Sequence, residues 1–110
     1  MPDNKKDYGA LTEGVYYILL SLITPMHGYG IMQNVKLLSN QRVELGAGTL
    51  YGALSTLAER GWIEPLESEQ DSRKKEYRIT DEGRFVVRTE MTRLDELLTN
   101  GRNIIGGEAE

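Results

Sequence analysis

The apolar residues near the start of the chain repeat at the spacing of one helical face. One stripe at i, i+3, i+4 and i+7 comprises Val15, Ile18, Leu19 and Leu22. Thr12 stands where an N-cap is expected, because its hydroxyl can accept a hydrogen bond from the first turn. Pro25 is expected to end this helix, since the residue before a proline avoids helical dihedral angles. The pattern predicts a first helix that begins near Leu11.

Two further helices are predicted from the middle of the chain. The second follows His27-Gly28 and ends near Ser39-Asn40, and its stripe consists of Ile31, Val35 and Leu38. Val43 and Leu45 then alternate with polar residues, which predicts a very short strand. The third helix opens at 46–49 and buries Leu50, Leu54 and Leu57. Gly61 occupies the position just beyond this helix, where a left-handed glycine commonly closes the last turn.

The last third of the chain predicts a hairpin followed by a long amphipathic helix. The strands are expected at 62–67 and 75–79, and Pro65 marks the first of them as an edge strand. Tyr77 and Ile79 alternate with charged residues, so one face of the hairpin is expected to be buried. Thr80 is the expected N-cap of the final helix. Its apolar stripe consists of Val87, Met91, Leu94 and Leu98, widened by Phe85, Val86 and Leu97.

The resulting fold class is mainly α with a small β-hairpin, a winged helix-turn-helix followed by a C-terminal dimerisation helix. The chain divides into a flexible arm at 1–10, a winged helix-turn-helix domain at 11–80, a dimerisation helix at 81–102 and a flexible tail at 103–110. The first three helices are expected to fill the core of so small a domain. The stripe of the last helix therefore requires a second chain, and we expect a homodimer.

The composition of the chain limits the compartments in which the protein is expected and the chemical sites that it can form. With 110 residues the chain supports one domain, and it contains no cysteine for a disulfide or a thiolate site. Neither a signal peptide nor an apolar run of about 18 residues is recognisable, so we expect a soluble cytoplasmic protein with no membrane partner. His27 is the only histidine, which makes a metal site or a catalytic triad improbable. The sequence therefore predicts no enzyme, no cofactor and no metal.

The net charge of −4 argues at first against a nucleic-acid partner, but the charges are unevenly distributed. Residues 27–80 carry seven Lys or Arg and seven Asp or Glu, whereas residues 81–110 carry four and seven. Four of the middle segment's basic residues lie within 73–78. Because phosphate binding depends on local clusters of charge, DNA binding by this segment remains consistent with an acidic chain.

Two segments are candidates for contact with DNA. The outward face of the third helix is small and polar, as expected of a helix that lies close to another surface, and free N–H groups around Gly48 could bind phosphate. The same pattern also describes an ordinary amphipathic helix with a solvated face. At the hairpin tip, Arg73, Lys74 and Lys75 could reach the DNA backbone or minor groove, although they could also form a solvated turn.

Three segments in register resemble the PadR family of transcriptional regulators. They are His27-Gly28-Tyr29-Gly30-Ile31, then Gly48-Thr49-Leu50-Tyr51-Gly52-Ala53-Leu54 with Gly61-Trp62-Ile63, and finally the run from Arg73 to Gly83. The resemblance covers 11–98 and is closest to the short subfamily with one C-terminal helix. It implies a homodimeric repressor that binds an inverted-repeat operator and is released by an inducer. Tyr16, Tyr17 and Met91 suggest a small hydrophobic or aromatic compound as a possible effector.

The resemblance also assigns residues to roles. Tyr29 and Tyr51 approach the DNA backbone, Thr49 and Ser55 lie along the groove, and Lys74 and Lys75 serve the wing. The predicted DNA-binding set is Tyr29, Gly48, Thr49, Tyr51, Gly52, Ser55, Arg73, Lys74 and Lys75. The predicted dimer interface is Leu11, Val87, Met91, Leu94 and Leu98. The candidate effector site is Tyr16, Tyr17, Met91 and Asp95, where plain dimer packing is the alternative.

The sequence departs from the family pattern at three positions. Gly30 stands where an acid is common, and Gly46 stands where a capping Ser or Asn is usual. Met91 stands where some drug-sensing relatives have a Trp, so the stacking of planar drugs is not carried over. Two other functions fit the same elements. One is a winged-helix module for protein contact, and the other is a small-molecule-binding dimer without DNA activity.

Overall fold

The computed structural model describes residues 9–67 and 75–106. In chain order the elements are α1 (Glu13–Ser21), β1 (Met26–His27), α2 (Gly28–Leu38), α3 (Ala47–Glu59), β2 (Ile63–Leu66), β3 (Glu76–Ile79) and α4 (Asp81–Gly101), with a π-helical turn at Arg102–Gly106. The strands of the described residues form an antiparallel sheet in the order β1-β3-β2. The architecture confirms the predicted fold class of a winged helix-turn-helix with a long C-terminal helix.

The prediction for the short strand was wrong in its position. Val43 and Leu45 lie in the connection between α2 and α3, where their half-buried side chains pack against the core. The strand that joins the hairpin is β1, with Met26 opposite Tyr77 and His27 opposite Glu76. The alternation of apolar and polar residues at 43–45 therefore reflects a loop that packs against the core. The third strand is formed by Met26–His27, because this segment lies along the free edge of β3.

Helix α1 begins as predicted and ends earlier than predicted. The Thr12 hydroxyl accepts a hydrogen bond from the Val15 N–H at 3.1 Å, which confirms the N-cap. The helix closes at Ser21, so Pro25 lies beyond its end and does not terminate it. The Ser21 hydroxyl donates to the Tyr17 carbonyl at 2.8 Å and accepts from the Asn34 amide at 2.9 Å. The bond from Asn34 ties the end of α1 to the middle of α2, and the bond to Tyr17 lies within α1.

Helices α2 and α3 bury most of their predicted residues. Ile31 and Val35 are fully buried, but Leu38 is exposed because α2 ends there and the chain turns away. The turn contains two consecutive left-handed residues, Asn40 and Gln41. In α3 the predicted face is buried in full, and it consists of Leu50, Leu54 and Leu57.

Helix α3 ends in the geometry predicted from Gly61. Gly61 has a φ of 81°, and its N–H donates to the Ala58 carbonyl at 3.0 Å. The next N–H, of Trp62, donates back to the Leu57 carbonyl at 3.0 Å. This pair of bonds is a Schellman motif, and it places the Trp62 side chain in the core.

Helix α4 passes from a buried to an exposed environment along one face. Its N-cap is Thr80, as predicted, whose hydroxyl accepts from the Gly83 N–H at 3.1 Å. In the first half of α4, Val86 and Val87 belong to the core, so this part of the helix has an intramolecular partner in its own chain. The expectation that the whole helix lacks such a partner was therefore wrong. None of the helices in the described ranges is long and apolar enough to span a lipid bilayer.

Candidate nucleic-acid interface

The first turns of α3 present the predicted polar face to solvent. Gly48, Thr49, Gly52 and Ser55 are all exposed, and buried Leu50 holds the opposite face in the core. The N-cap is Gly46, which brings no side-chain oxygen to the first turn. The N–H groups at the start of α3 are therefore left for another acceptor, such as water or a phosphate.

Tyr29 lies on the first turn of α2 and is 63% exposed. Its hydroxyl accepts a hydrogen bond from the Gln33 side-chain amide at 3.1 Å, one turn later on the same helix. His27 precedes this turn as N-cap, and within the described residues its side chain makes no capping bond. Tyr29 and the start of α3 are thus both on the surface.

Tyr51 lies on the first turns of α3, beside the start of α2, and its predicted contact with the DNA backbone stays a prediction. It is 48% exposed, but its hydroxyl end lies against Gly28, the first residue of α2. Tyr51 also lies near Tyr77 of β3, where burial raises the pKa of the Tyr77 phenol and the neighbouring Tyr51 raises it further. The ring of Tyr51 on α3 therefore lies against the start of α2 and near β3.

The described part of the wing is a short antiparallel pair. Ile63 is opposite Ile79 and Glu64 is opposite Arg78. The Arg78 Nε donates to the Glu64 carboxylate at 2.7 Å across the strands, so part of this basic charge is neutralised. Lys75 is exposed at the start of β3. Arg73 and Lys74, the other predicted wing residues, lie outside the described residues.

The predicted dimer residues divide into two groups. Val87 belongs to the core of its own chain, and Leu11 is half-buried against that core. Met91, Leu94 and Leu98 are 51%, 39% and 51% exposed. The exposed group lies on the second half of α4, in line with the face that the first half buries.

The candidate effector residues lie on α1 and α4, which pack against each other. Tyr16 and Tyr17 are half-buried, and their ring centroids are 5.9 Å apart at an interplanar angle of 52°. Asp95 and Met91 are exposed. Burial, the charge of Glu90 and the neighbouring Tyr17 raise the pKa of Tyr16, in that order of size. Tyr16 is thus close to Glu90, one residue before Met91.

An ion pair between a buried carboxylate and a partly exposed guanidinium at this contact was not predicted from the sequence. Glu90 is 4% exposed and accepts from Arg93 Nε at 2.9 Å and from Nη2 at 2.7 Å. The hydrogen bonds from Arg93 hold the pKa of Glu90 below its usual range, with a further contribution from the backbone of Leu11. The i, i+3 spacing of the pair was visible, but the same spacing also occurs on solvated helix faces.

The described residues contain no group of three or more His, Cys, Asp or Glu that could hold a metal ion. The exposed face of α3 offers a helix N-terminus and small side chains, and Lys75 before β3 is an exposed cation.

The Glu90 carboxylate makes stability depend on pH in a defined direction. Its pKa is lowered in the folded chain, so its contribution is present above the ordinary value of 4.5 and is lost as the pH falls below it. We expect Glu90→Gln to flatten the fall in unfolding free energy on acidification, measured by urea denaturation. The matched control is Glu96→Gln, which removes the same charge from an exposed position of α4. Equal acid sensitivity in the Glu90→Gln variant and the parent would contradict this role.

Comparisons with known proteins agree with this geometry. Residues 17–89 match the model of the PadR-like family of transcriptional regulators. A PadR family transcriptional regulator from Eggerthella lenta is 27% identical with a TM-score of 0.68, over 87% of this chain and 82% of that one. PcaV, a transcriptional regulator from Streptomyces coelicolor solved in complex with its natural ligand, is 23% identical with a TM-score of 0.68, over 90% of this chain and 64% of that one.

A further relative is an uncharacterized transposon protein from Streptomyces fradiae, 36% identical over 66 residues. The match covers 60% of this chain but only 18% of that protein, so it concerns one domain of a longer chain. The family match covers more than half of the present chain, including α2, α3, the wing and the first half of α4. This chain therefore belongs to the PadR-like family, whose members are DNA-binding transcriptional regulators and not enzymes.

Proposed function

We propose that this chain is the protomer of a homodimeric repressor that binds a specific inverted-repeat operator through α3. The observation that carries the proposal is the exposed, small and polar face of α3 next to the wing. A major groove about 12 Å wide admits one helix, and small side chains let its backbone approach the base edges. In a dimer, two such helices would address half-sites about 34 Å apart, on successive turns of the same duplex.

Each part of the surface suits a different contact. Thr49 and Ser55 carry hydroxyls that can donate to or accept from base edges. Gly48 and Gly52 are positions where, within the described part of the chain, a Cβ would enter open space. We therefore infer that glycine at these positions serves the approach of a partner rather than the packing of the fold.

Backbone contacts are proposed for the residues around α3. Tyr29 on the first turn of α2 and Lys75 before β3 are both exposed, and we propose that they contact the DNA backbone on either side of α3. Arg73 and Lys74 are assigned to the same contact on their sequence position alone. Such contacts position a protein on DNA without reading its sequence.

The proposed dimer follows from the two environments of α4. Val87 is buried in its own chain, whereas Leu94 and Leu98, further along the same stripe, are exposed. Removing apolar surface from water contributes roughly 25 cal/mol per Å², so an uncovered stripe on a long helix favours association. We propose that the second half of α4 packs against the same helix of a second copy.

Repression and its release form the finer part of the proposal. A dimer bound at a promoter blocks the polymerase, and an effector held near Tyr16 and Tyr17 would displace α4 relative to α1. Two half-buried aromatic rings beside an exposed Met91 suit a small aromatic compound. Because α4 sets the spacing of the two α3 helices in the dimer, a shift at this contact would weaken operator binding.

DNA binding is tested with the wing variant Lys74→Ala/Lys75→Ala. A duplex selected by the parent protein from a random pool serves as the probe, and a scrambled duplex as its comparison. We expect weaker binding to both, with the slope of log affinity against log salt reduced by about 0.9 for each phosphate that the variant no longer neutralises. The control Arg88→Ala removes an exposed cation from α4. An unchanged affinity and slope would overturn the wing assignment, and a folded dimer that selects no duplex would favour the protein-contact module.

The dimer is tested with Leu94→Asp, which places a carboxylate in the exposed stripe of α4. We expect monomers in analytical ultracentrifugation, since a charge at an apolar interface is poorly compensated. Affinity for the selected duplex should fall by about a hundredfold or more, because the two half-sites no longer bind as one unit. Thr92→Asp adds the same charge at another exposed position of α4 and should remain a dimer. A stable dimer of Leu94→Asp would contradict the proposed interface.

Repression and effector release are tested together by transcription in vitro. Transcription from a promoter that contains the selected duplex should fall when the dimer is added. Aromatic compounds that raise the melting temperature of the dimer should restore it, and Tyr16→Ala should lose both effects of the compound. Compounds that stabilise the dimer without releasing DNA would instead support a small-molecule-binding dimer.

A further inference from the structure

We propose that Tyr51 and Gly28 form a positioning pair that fixes α3 against the start of α2 and against the wing strand β3. Tyr51 then acts on DNA affinity through the position of α3, and not chiefly as a contact to the DNA backbone. The inference rests on the proposed DNA-binding function, and it assigns this one side chain a role within it.

The first observation is the space at Gly28. A Cβ at this position would overlap the Tyr51 hydroxyl and would lie 2.6 Å from the ring carbon Cζ and 3.2 Å from Cε1. Real Cβ atoms do not make contacts of 2.6 Å, so any side chain at residue 28 would force the ring to move. The end of Tyr51 thus occupies the volume that another residue at this position would fill.

Backbone conformation does not account for this glycine. Gly28 is the buried first residue of α2, and the glycines with positive φ in the described residues are Gly9 and Gly61. Alanine would be accepted by the backbone at the start of a helix, and it has a higher helix propensity than glycine. Glycine at residue 28 therefore leaves the space that the end of the Tyr51 side chain occupies.

The second observation is the position of this contact among the DNA-facing elements. Gly28 directly follows β1, and β1 pairs with β3 through Met26 opposite Tyr77. Tyr51 is close enough to Tyr77 to raise the pKa of that phenol. One aromatic side chain of α3 therefore lies against the start of α2 and near the strand that pairs with β1.

The third observation is the scarcity of other anchors at the start of α3. The segment contains Gly46, Gly48 and Gly52, and in the described part of the chain a Cβ at each would meet open space. Leu50, Leu54 and Leu57 pack into the core along one face of α3 and set the general orientation of the helix. Tyr51, next to Leu50, adds a contact to the start of α2 at the N-terminal end of the helix, which further limits the rotation of its exposed face.

A positioning role and a direct backbone contact differ in two measurable ways. Removing a side chain that binds phosphate weakens binding to every duplex by the same factor. A rotated α3 no longer reaches its base edges, so the affinity for the selected duplex falls while the affinity for a scrambled duplex changes little. Moreover, Tyr51→Phe keeps the ring and should retain most of the preference, whereas Tyr51→Ala should lose it.

The experiment is a double-mutant cycle with Gly28→Ala, Tyr51→Ala and the combination of both. On the selected duplex we expect Gly28→Ala to reduce the affinity roughly tenfold, as when one base is no longer read, with little change on the scrambled duplex. In the Tyr51→Ala background, Gly28→Ala should not reduce the affinity further, because the ring that its Cβ would overlap is absent. Gly30→Ala is the matched control, since its Cβ would meet only Met26 at an ordinary 3.7 Å.

The same proteins are also compared by thermal unfolding without DNA. Gly28→Ala should lower the melting temperature in the parent but not in Tyr51→Ala, even where the single variant folds too poorly for binding studies. The proposal is overturned when Gly28→Ala lowers the melting temperature by the same amount with and without the Tyr51 side chain. It is also overturned when Tyr51→Phe and Tyr51→Ala reduce the affinity for the selected and the scrambled duplex by the same factor. A parent that selects no duplex refutes the proposed function, while the unfolding cycle still decides whether the pair exists.

Discussion

The direction of α4 depends on one hydrogen-bonded junction, where the end of α3, the start of β2 and the start of α4 meet. The Thr80 N–H donates to the Trp62 carbonyl at 3.0 Å, and the Thr80 hydroxyl donates to the Gly61 carbonyl at 2.6 Å. Gly83 lies so close to the Trp62 carbonyl that a Cβ would overlap it. With the Trp62 side chain buried, the junction has little freedom to change. The junction thereby fixes the orientation of α4, the proposed dimerisation helix, relative to α3, the helix that we propose to enter the DNA groove.

This fixed relation gives the two halves of α4 their different roles. The first half packs into its own domain, the ion pair of buried Glu90 with Arg93 lies at the middle of the helix, and the second half extends the same face without cover in this chain. A buried carboxylate is tolerated only with such a partner, since an unpaired one would be strongly destabilising. The Glu90 carboxylate also forms a hydrogen bond with the backbone of Leu11, and this bond links the segment before α1 to α4. A change at the α1–α4 contact therefore reaches the helix through which we propose that two copies associate.

Much of the candidate site could be predicted from the sequence, because its residues are local to one helix. The exposure of Thr49 and Ser55 follows from the burial of Leu50 and Leu54, and helical periodicity determines both. The role of Gly28 and the pairing of Glu90 could not be predicted in this way. Each depends on which side chain of a distant element arrives at that point, and neither spacing nor composition contains this information.

The sequence by itself determined the helices, their caps and the closure of α3 at Gly61, because these depend on hydrogen bonds and side-chain spacing within a few residues. It also indicated the hairpin and the exposed face of α3. Only the tertiary structure decided that Met26–His27 supplies the third strand, and that Val43 and Leu45 pack as a loop. It likewise decided that Val87 is a core residue and that Tyr51 reaches Gly28. The reason is physical: strand edges and cavities belong to the assembled chain, whose distant segments compete for the same space.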